Sequence, residues 1–90
     1  MIWHLEYSDK ARKQLRKFDE TQRTIILRWI DKNINGCDNP RLHGGALVGN
    51  MKGYWRYRVG TYRVIADIQD NIVTIEIINV AHRKDVYKEL

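Results

Sequence analysis

Between Tyr54 and Val80 the chain holds three runs rich in aromatic and β-branched residues, broken only by Gly60-Thr61 and by Gln69-Asp70-Asn71. Breaks this short cannot carry the crossover that a parallel pair needs, so the runs must return on themselves as antiparallel hairpins. The pattern predicts strands over Tyr54 to Val59, Tyr62 to Ile68 and Ile72 to Val80. Ahead of them, Ile2 to Tyr7 reads as a further strand. Ser8 then offers an N-cap to a helix whose apolar positions Ala11, Leu15 and Phe18 recur at helical spacing among Lys10, Arg12, Lys13, Arg16 and Lys17. Asp19, with Gln22 three residues on, opens a second helix; Ile25, Ile26, Trp29, Ile30 and Ile34 make its apolar stripe, and Asn35-Gly36 stops it. The expected fold is α+β: an N-terminal strand, a two-helix hairpin, then a three-stranded antiparallel meander, in one sheet with the helices on one face. The tail from Lys84 to Leu90 could close it as a short helix. Ninety residues supply one core, so residues 1–90 read as a single domain.

A formal charge of +5 gives the surface a field that attracts polyanions. Cys37 is the sole cysteine, which excludes an internal disulfide, and three scattered histidines give no spacing for a metal site; no metal and no cofactor are expected. The first seven residues run into charges without the apolar core of a signal peptide, and no stretch approaches the ~20 apolar residues of a membrane span. A cytoplasmic protein without membrane contact is the expectation.

The charge is not spread evenly. Side chains alternate across a strand, so Arg56 and Arg58 share one face while Trp55, Tyr57 and Val59 take the other. A two-residue turn at Gly60-Thr61 sets Val59 opposite Tyr62 and Arg58 opposite Arg63. Like charges facing each other on a sheet destabilise it, which suggests that an anion belongs between them. The alternative is an ordinary solvated outer face. Pairing Gln69 with Ile72 would set Ile78 opposite Arg63 and bring Glu76, Val80 and His82 to the arginine face; a three-residue turn at 69–71 would send Glu76 and His82 to the other face.

Just past the last strand, Ala81-His82-Arg83-Lys84-Asp85-Val86-Tyr87 gathers an imidazole, cations and a phenol. Together, Tyr54-Trp55-Arg56-Tyr57-Arg58-Val59-Gly60-Thr61-Tyr62-Arg63-Val64 and Asn79-Val80-Ala81-His82-Arg83-Lys84-Asp85-Val86-Tyr87 resemble the C-terminal half of RelE-type toxins. The resemblance implies the toxin of a toxin–antitoxin pair, a metal-independent endoribonuclease that cleaves messenger RNA in the ribosomal A site and is restrained by a cognate antitoxin. Its partners would be that antitoxin, the ribosome and mRNA. It further implies that Arg63, Arg83 and Tyr87 are catalytic and that Arg56 and Arg58 hold RNA, with Lys52 and Lys84 beside them. Some RelE toxins carry lysines where this chain has Arg56 and Arg58, and arginine cannot release a proton as a lysine of depressed pKa can. His82 is therefore the expected proton-transfer group, with Glu76 as a possible base. Two rivals remain: a ParE-type toxin, which shares the fold but binds DNA gyrase, and a non-catalytic RNA-binding module.

Overall fold

The computed structural model describes residues 1–88. The chain runs β1 (His4–Tyr7), α1 (Asp9–Lys17), α2 (Glu20–Asn33), β2 (Gly45–Ala46), β3 (Trp55–Val59), β4 (Tyr62–Gln69) and β5 (Thr74–His82), with single 3-10 turns at Gly49–Met51 and Asp70–Ile72. Both helices begin where their caps require. The Ser8 hydroxyl accepts from the Ala11 N–H at 3.1 Å and an Asp19 carboxylate oxygen accepts from the Gln22 N–H at 2.8 Å. Arg23 donates to the Phe18 carbonyl at 3.1 Å and so closes the end of α1 from α2.

The five strands form one sheet in the order β1-β5-β4-β3-β2. The meander β3-β4-β5 is antiparallel, as the short turns demand, and β1 lies parallel to β5 after the helical crossover. The two-residue strand β2, which sequence patterning does not reveal, adds an edge against β3. One face of the sheet carries the main core: Ala11 and Leu15 of α1 and Ile26 and Ile30 of α2 pack on Tyr57, Val59, Val64, Ala66, Ile75, Ile77 and Val80. Ile25, expected in the buried stripe of α2, is 51% exposed, while Ile26, Leu27, Trp29 and Ile30 meet the core. The opposite face holds a smaller cluster of Leu47, Ile65, Ala81 and Val86.

The β3–β4 register is the expected one: Val59 opposes Tyr62 and Arg58 opposes Arg63. The β4–β5 register differs from both expected forms. Gln69 pairs with Thr74, so the turn spans four residues, and Asp67 pairs with Glu76. Between Ile65 and Ala66 the ladder then slips, because both Ile78 and Asn79 stand against Ile65. This bulge inverts the alternation beyond it. Arg63 consequently opposes Ala81 instead of Ile78, Val80 turns to the helix face, and His82 opposes Tyr62. No helix forms in the tail over residues 83–88, which is a succession of turns; the rest of the expected helix lies outside the described residues.

Candidate phosphodiester site

Tyr57 and Val59 are buried under α2, and strand alternation therefore turns Arg56 and Arg58 to the other side of the sheet. The tight β3–β4 turn adds Arg63. Its guanidinium folds back over the hairpin, where Nη1 donates to the carbonyls of Gly60 and Tyr62, each at 2.9 Å. Arg83 joins them from beyond β5, fixed by its own N–H donating to the Thr61 carbonyl at 2.8 Å. The convergence has an electrostatic mark: burial first, and then the like charges of Arg58, Arg56 and Arg83, hold the Arg63 guanidinium below its ordinary pKa, opposed by Tyr87. The ion pairs Arg41–Asp70 and Asp85–Lys88 involve none of these arginines, and among the described residues no carboxylate pairs with Arg56, Arg58, Arg63 or Arg83.

Tyr87 closes one end of the cluster. Its hydroxyl accepts from Arg56 Nη1 at 3.0 Å, while Arg56 Nε is buried with no acceptor among the described residues. Beside this pair opens a groove of about 570 Å³, lined by Ala46, Leu47, Val48, Asn50, Met51, Arg56 and Tyr87. Its size falls in the range of small-ligand pockets, about 300–1,000 Å³, and its wall mixes polar surface from Asn50, Arg56 and Tyr87 with apolar surface from Leu47, Val48 and Met51. Sequence patterning does not reveal this wall, which rests on the β2–β3 connection.

The remaining expected site residues do not gather here. His82 stands on the helix face, its ring 5.8 Å from that of Tyr62 and nearly perpendicular to it, and its Nδ1 accepts from the Lys84 N–H at 3.2 Å. Glu76 keeps to the arginine face but opposes Asp67, four residues along β4 from Arg63, or about 13 Å at ~3.3 Å per residue. Lys52 is exposed after the 3-10 turn at Gly49–Met51, and Lys84 is exposed next to Arg83 in the tail. Among the described residues no three His, Cys, Asp or Glu side chains gather where they could hold a metal ion. No helix among them is long and apolar enough to cross a membrane.

The family described as the ParE toxin of type II toxin-antitoxin system, parDE, matches residues 5–87. The chain belongs to the RelE/ParE superfamily of type II toxins. It is 26% identical over 88 residues to Toxin RelG of Mycobacterium tuberculosis, covering 98% of this chain and 99% of that protein. The toxin–antitoxin complex RelBE2 of the same organism holds a chain that superposes with a TM-score of 0.82 at 25% identity, over 94% of this toxin and 95% of that chain. The isolated RelE toxin of E. coli shares the fold with a TM-score of 0.71 at 22% identity, over 89% and 83% of the two chains. The fold is thus RelE-like, and structural neighbours determined as complexes with antitoxins support an antitoxin as partner of this toxin.

Proposed function

We propose that this toxin is an endoribonuclease that cleaves messenger RNA in the ribosomal A site by attack of a ribose 2′-hydroxyl on the adjacent phosphate. The observation that carries the reading is the cluster of Arg58, Arg63 and Arg83, which no carboxylate pairs among the described residues, with Arg56 and Tyr87 at its edge. Guanidinium groups stay charged and bind phosphate oxygens in pairs, so three of them around one phosphate stabilise the charge that grows on its oxygens as the 2′-oxygen attacks. Arg56 and Tyr87 then meet the nucleotide beside that phosphate. Its base lies in the neighbouring groove against Met51 and the phenol ring. The attack breaks the bond from phosphorus to the 5′-oxygen and leaves a 2′,3′-cyclic phosphate. The 2′-hydroxyl proton passes to water, and the Tyr87 phenol, beside the reacting atoms, positions the nucleotide and gives a proton to the departing 5′-oxygen, regaining one from water. Lys52 and Lys84, exposed at the borders, add attraction for the RNA backbone.

His82 and Glu76, expected to move the proton, stand apart from the arginines, so catalysis by this face rests on charge stabilisation and on Tyr87. His82→Gln accordingly leaves single-turnover cleavage of ribosome-bound mRNA within a few-fold of wild type. Arg63→Ala and Arg83→Ala each slow it by ~10²-fold or more with the fold retained. Cleavage by Arg63→Ala at the wild-type rate would remove the arginine cluster from the mechanism.

The family match to a ParE toxin supports a second reading, in which the same basic face engages DNA gyrase. Primer-extension mapping of mRNA after induction separates the two. Cuts within codons support the nuclease, and gyrase-linked DNA breaks without such cuts support the gyrase poison.

A further inference from the structure

Tyr87 sits on a tail of turns, yet its neighbour Val86 is fully buried. Strand or helix ladders do not hold this segment. Its backbone is held by single turns: the N–H groups of Asp85, at 2.8 Å, and Val86, at 3.0 Å, donate to the His82 carbonyl, and that of Lys88 to the Asp85 carbonyl at 3.1 Å. The Arg83 N–H ties the start of the tail to the Thr61 carbonyl, and at Val86 the tie to the body comes from Asn79, which is fully buried and donates from Nδ2 to the Val86 carbonyl at 2.6 Å. Asn79 is itself held from α1: Gln14 Nε2 donates to Asn79 Oδ1, and Gln14 Oε1 accepts from the Val80 N–H at 2.7 Å. A buried amide destabilises a core unless every bond is made, and Leu at this site would fill the space without that requirement. The residue stands at the bulge of β5, where the ladder slip lets its amide reach α1 and the tail together.

We infer that Gln14 and Asn79 are positioning residues that set Tyr87 against Arg56 by holding the Val86 carbonyl. The chain of bonds runs from α1 through the β5 bulge to the residue preceding Tyr87, and the phenol is then fixed at its far end by Arg56 Nη1. Gln14 and Asn79 touch no substrate in this arrangement and act through Tyr87. The inference deepens the nuclease reading and rests on it for its kinetic consequence.

Two measurements test it, on the full chain. In single-turnover cleavage of ribosome-bound mRNA, Asn79→Leu and Gln14→Ala lower the maximal rate by ~10-fold while half-saturation by programmed ribosomes stays within two-fold, because the arginines that bind phosphate are untouched. On a Tyr87→Ala background neither substitution lowers the rate further, whereas independent structural damage would multiply with it. The second measurement needs no cleavage: 3-fluorotyrosine incorporated throughout gives a ¹⁹F resonance assigned to position 87 by its loss in Tyr87→Phe. That resonance moves toward the free amino-acid position in both variants. Should Asn79→Leu fail to fold, Gln14→Ala carries both measurements from the half-exposed end of the chain of bonds. An unmoved resonance, or rate losses that multiply on the Tyr87→Ala background, overturns the inference. A moved resonance in a protein that cuts no mRNA upholds the positioning and refutes the nuclease reading instead.

Discussion

Replacing Arg58 by Thr should make this toxin more stable while abolishing its proposed activity. Arg58 stands directly opposite Arg63 in the β3–β4 ladder, and Arg56 and Arg83 add like charge nearby, with no carboxylate paired to any of them among the described residues. Two unit charges ~6 Å apart in water repel by about 0.7 kcal/mol, which agrees with the ~0.2–1 kcal/mol span of cross-strand pair effects. Threonine keeps the strand preference, and the exposed Arg58 side chain leaves no cavity behind. For a domain of this size, a gain of about 0.7 kcal/mol raises the thermal midpoint by roughly 3–5 °C. Thermal denaturation followed by circular dichroism at low ionic strength reads it. The same pair of proteins in 1 M salt should differ little, because the screening length falls from ~30 Å at 0.01 M to ~3 Å. An Arg58→Thr protein no more stable than wild type at low salt, or a gain that persists undiminished in 1 M salt, would refute the claim that the face is held under repulsion. That claim matters for function, since repulsion relieved by a bound phosphate is the energetic signature of a site built for an anion.

Gly44 carries φ +81°, and a Cβ there would meet the Arg56 carbonyl oxygen at 2.1 Å; Gly44→Ala should destabilise by about 2–4 kcal/mol in urea unfolding and disturb Arg56 as well. The Tyr57 hydroxyl donates to the Pro40 carbonyl at 2.5 Å inside the core, so Tyr57→Phe should cost about 1–2 kcal/mol, read from the same transition. Burial, with the charge of Asp31 adding to it, pushes the Tyr7 phenol from 10.0 up to about 12. The neutral phenol is thus favoured by the fold: its stabilising contribution is complete below pH 10 and is lost as pH rises from 10 toward 12, where the unfolded chain releases the proton first. Tyr7→Phe should flatten the decline of the thermal midpoint across that window, and an unchanged slope would show that Tyr7 is free in the folded state.

The meander, the helix caps and the face shared by Arg56, Arg58 and Arg63 are legible in the sequence, because each follows from a local rule, whereas Arg83 and Tyr87 are singled out there by the resemblance to RelE-type toxins. Gly60-Thr61 fixes a hairpin, Ser8 and Asp19 fix helix starts, and period-two alternation fixes a face. What escapes local rules is the position of His82. Two features decide it: a turn of four residues where Asp70-Asn71 suggests two, and one extra residue at the Ile65/Ala66 slip. The longer turn places Val73 at φ +52°, a conformation that sequence preference steers away from valine, so the turn is chosen by packing on the core and not by its own residues. With two added turn residues, the even-numbered positions of β5 keep their face and Glu76 stays with Arg63; the bulge then reverses every position after it and carries Val80 and His82 to the helices. Asn79 is the visible trace of that reversal. An asparagine in a run of Ile and Val is disfavoured in a regular strand, yet it is the residue that a bulge needs when its side chain must bond α1 on one side and the tail on the other. Strict alternation extended through β5 brings the imidazole to the arginines, whereas the bulge at Asn79 sends it to the helix face and fixes the Val86 carbonyl, leaving the phenol of Tyr87 beside Arg56.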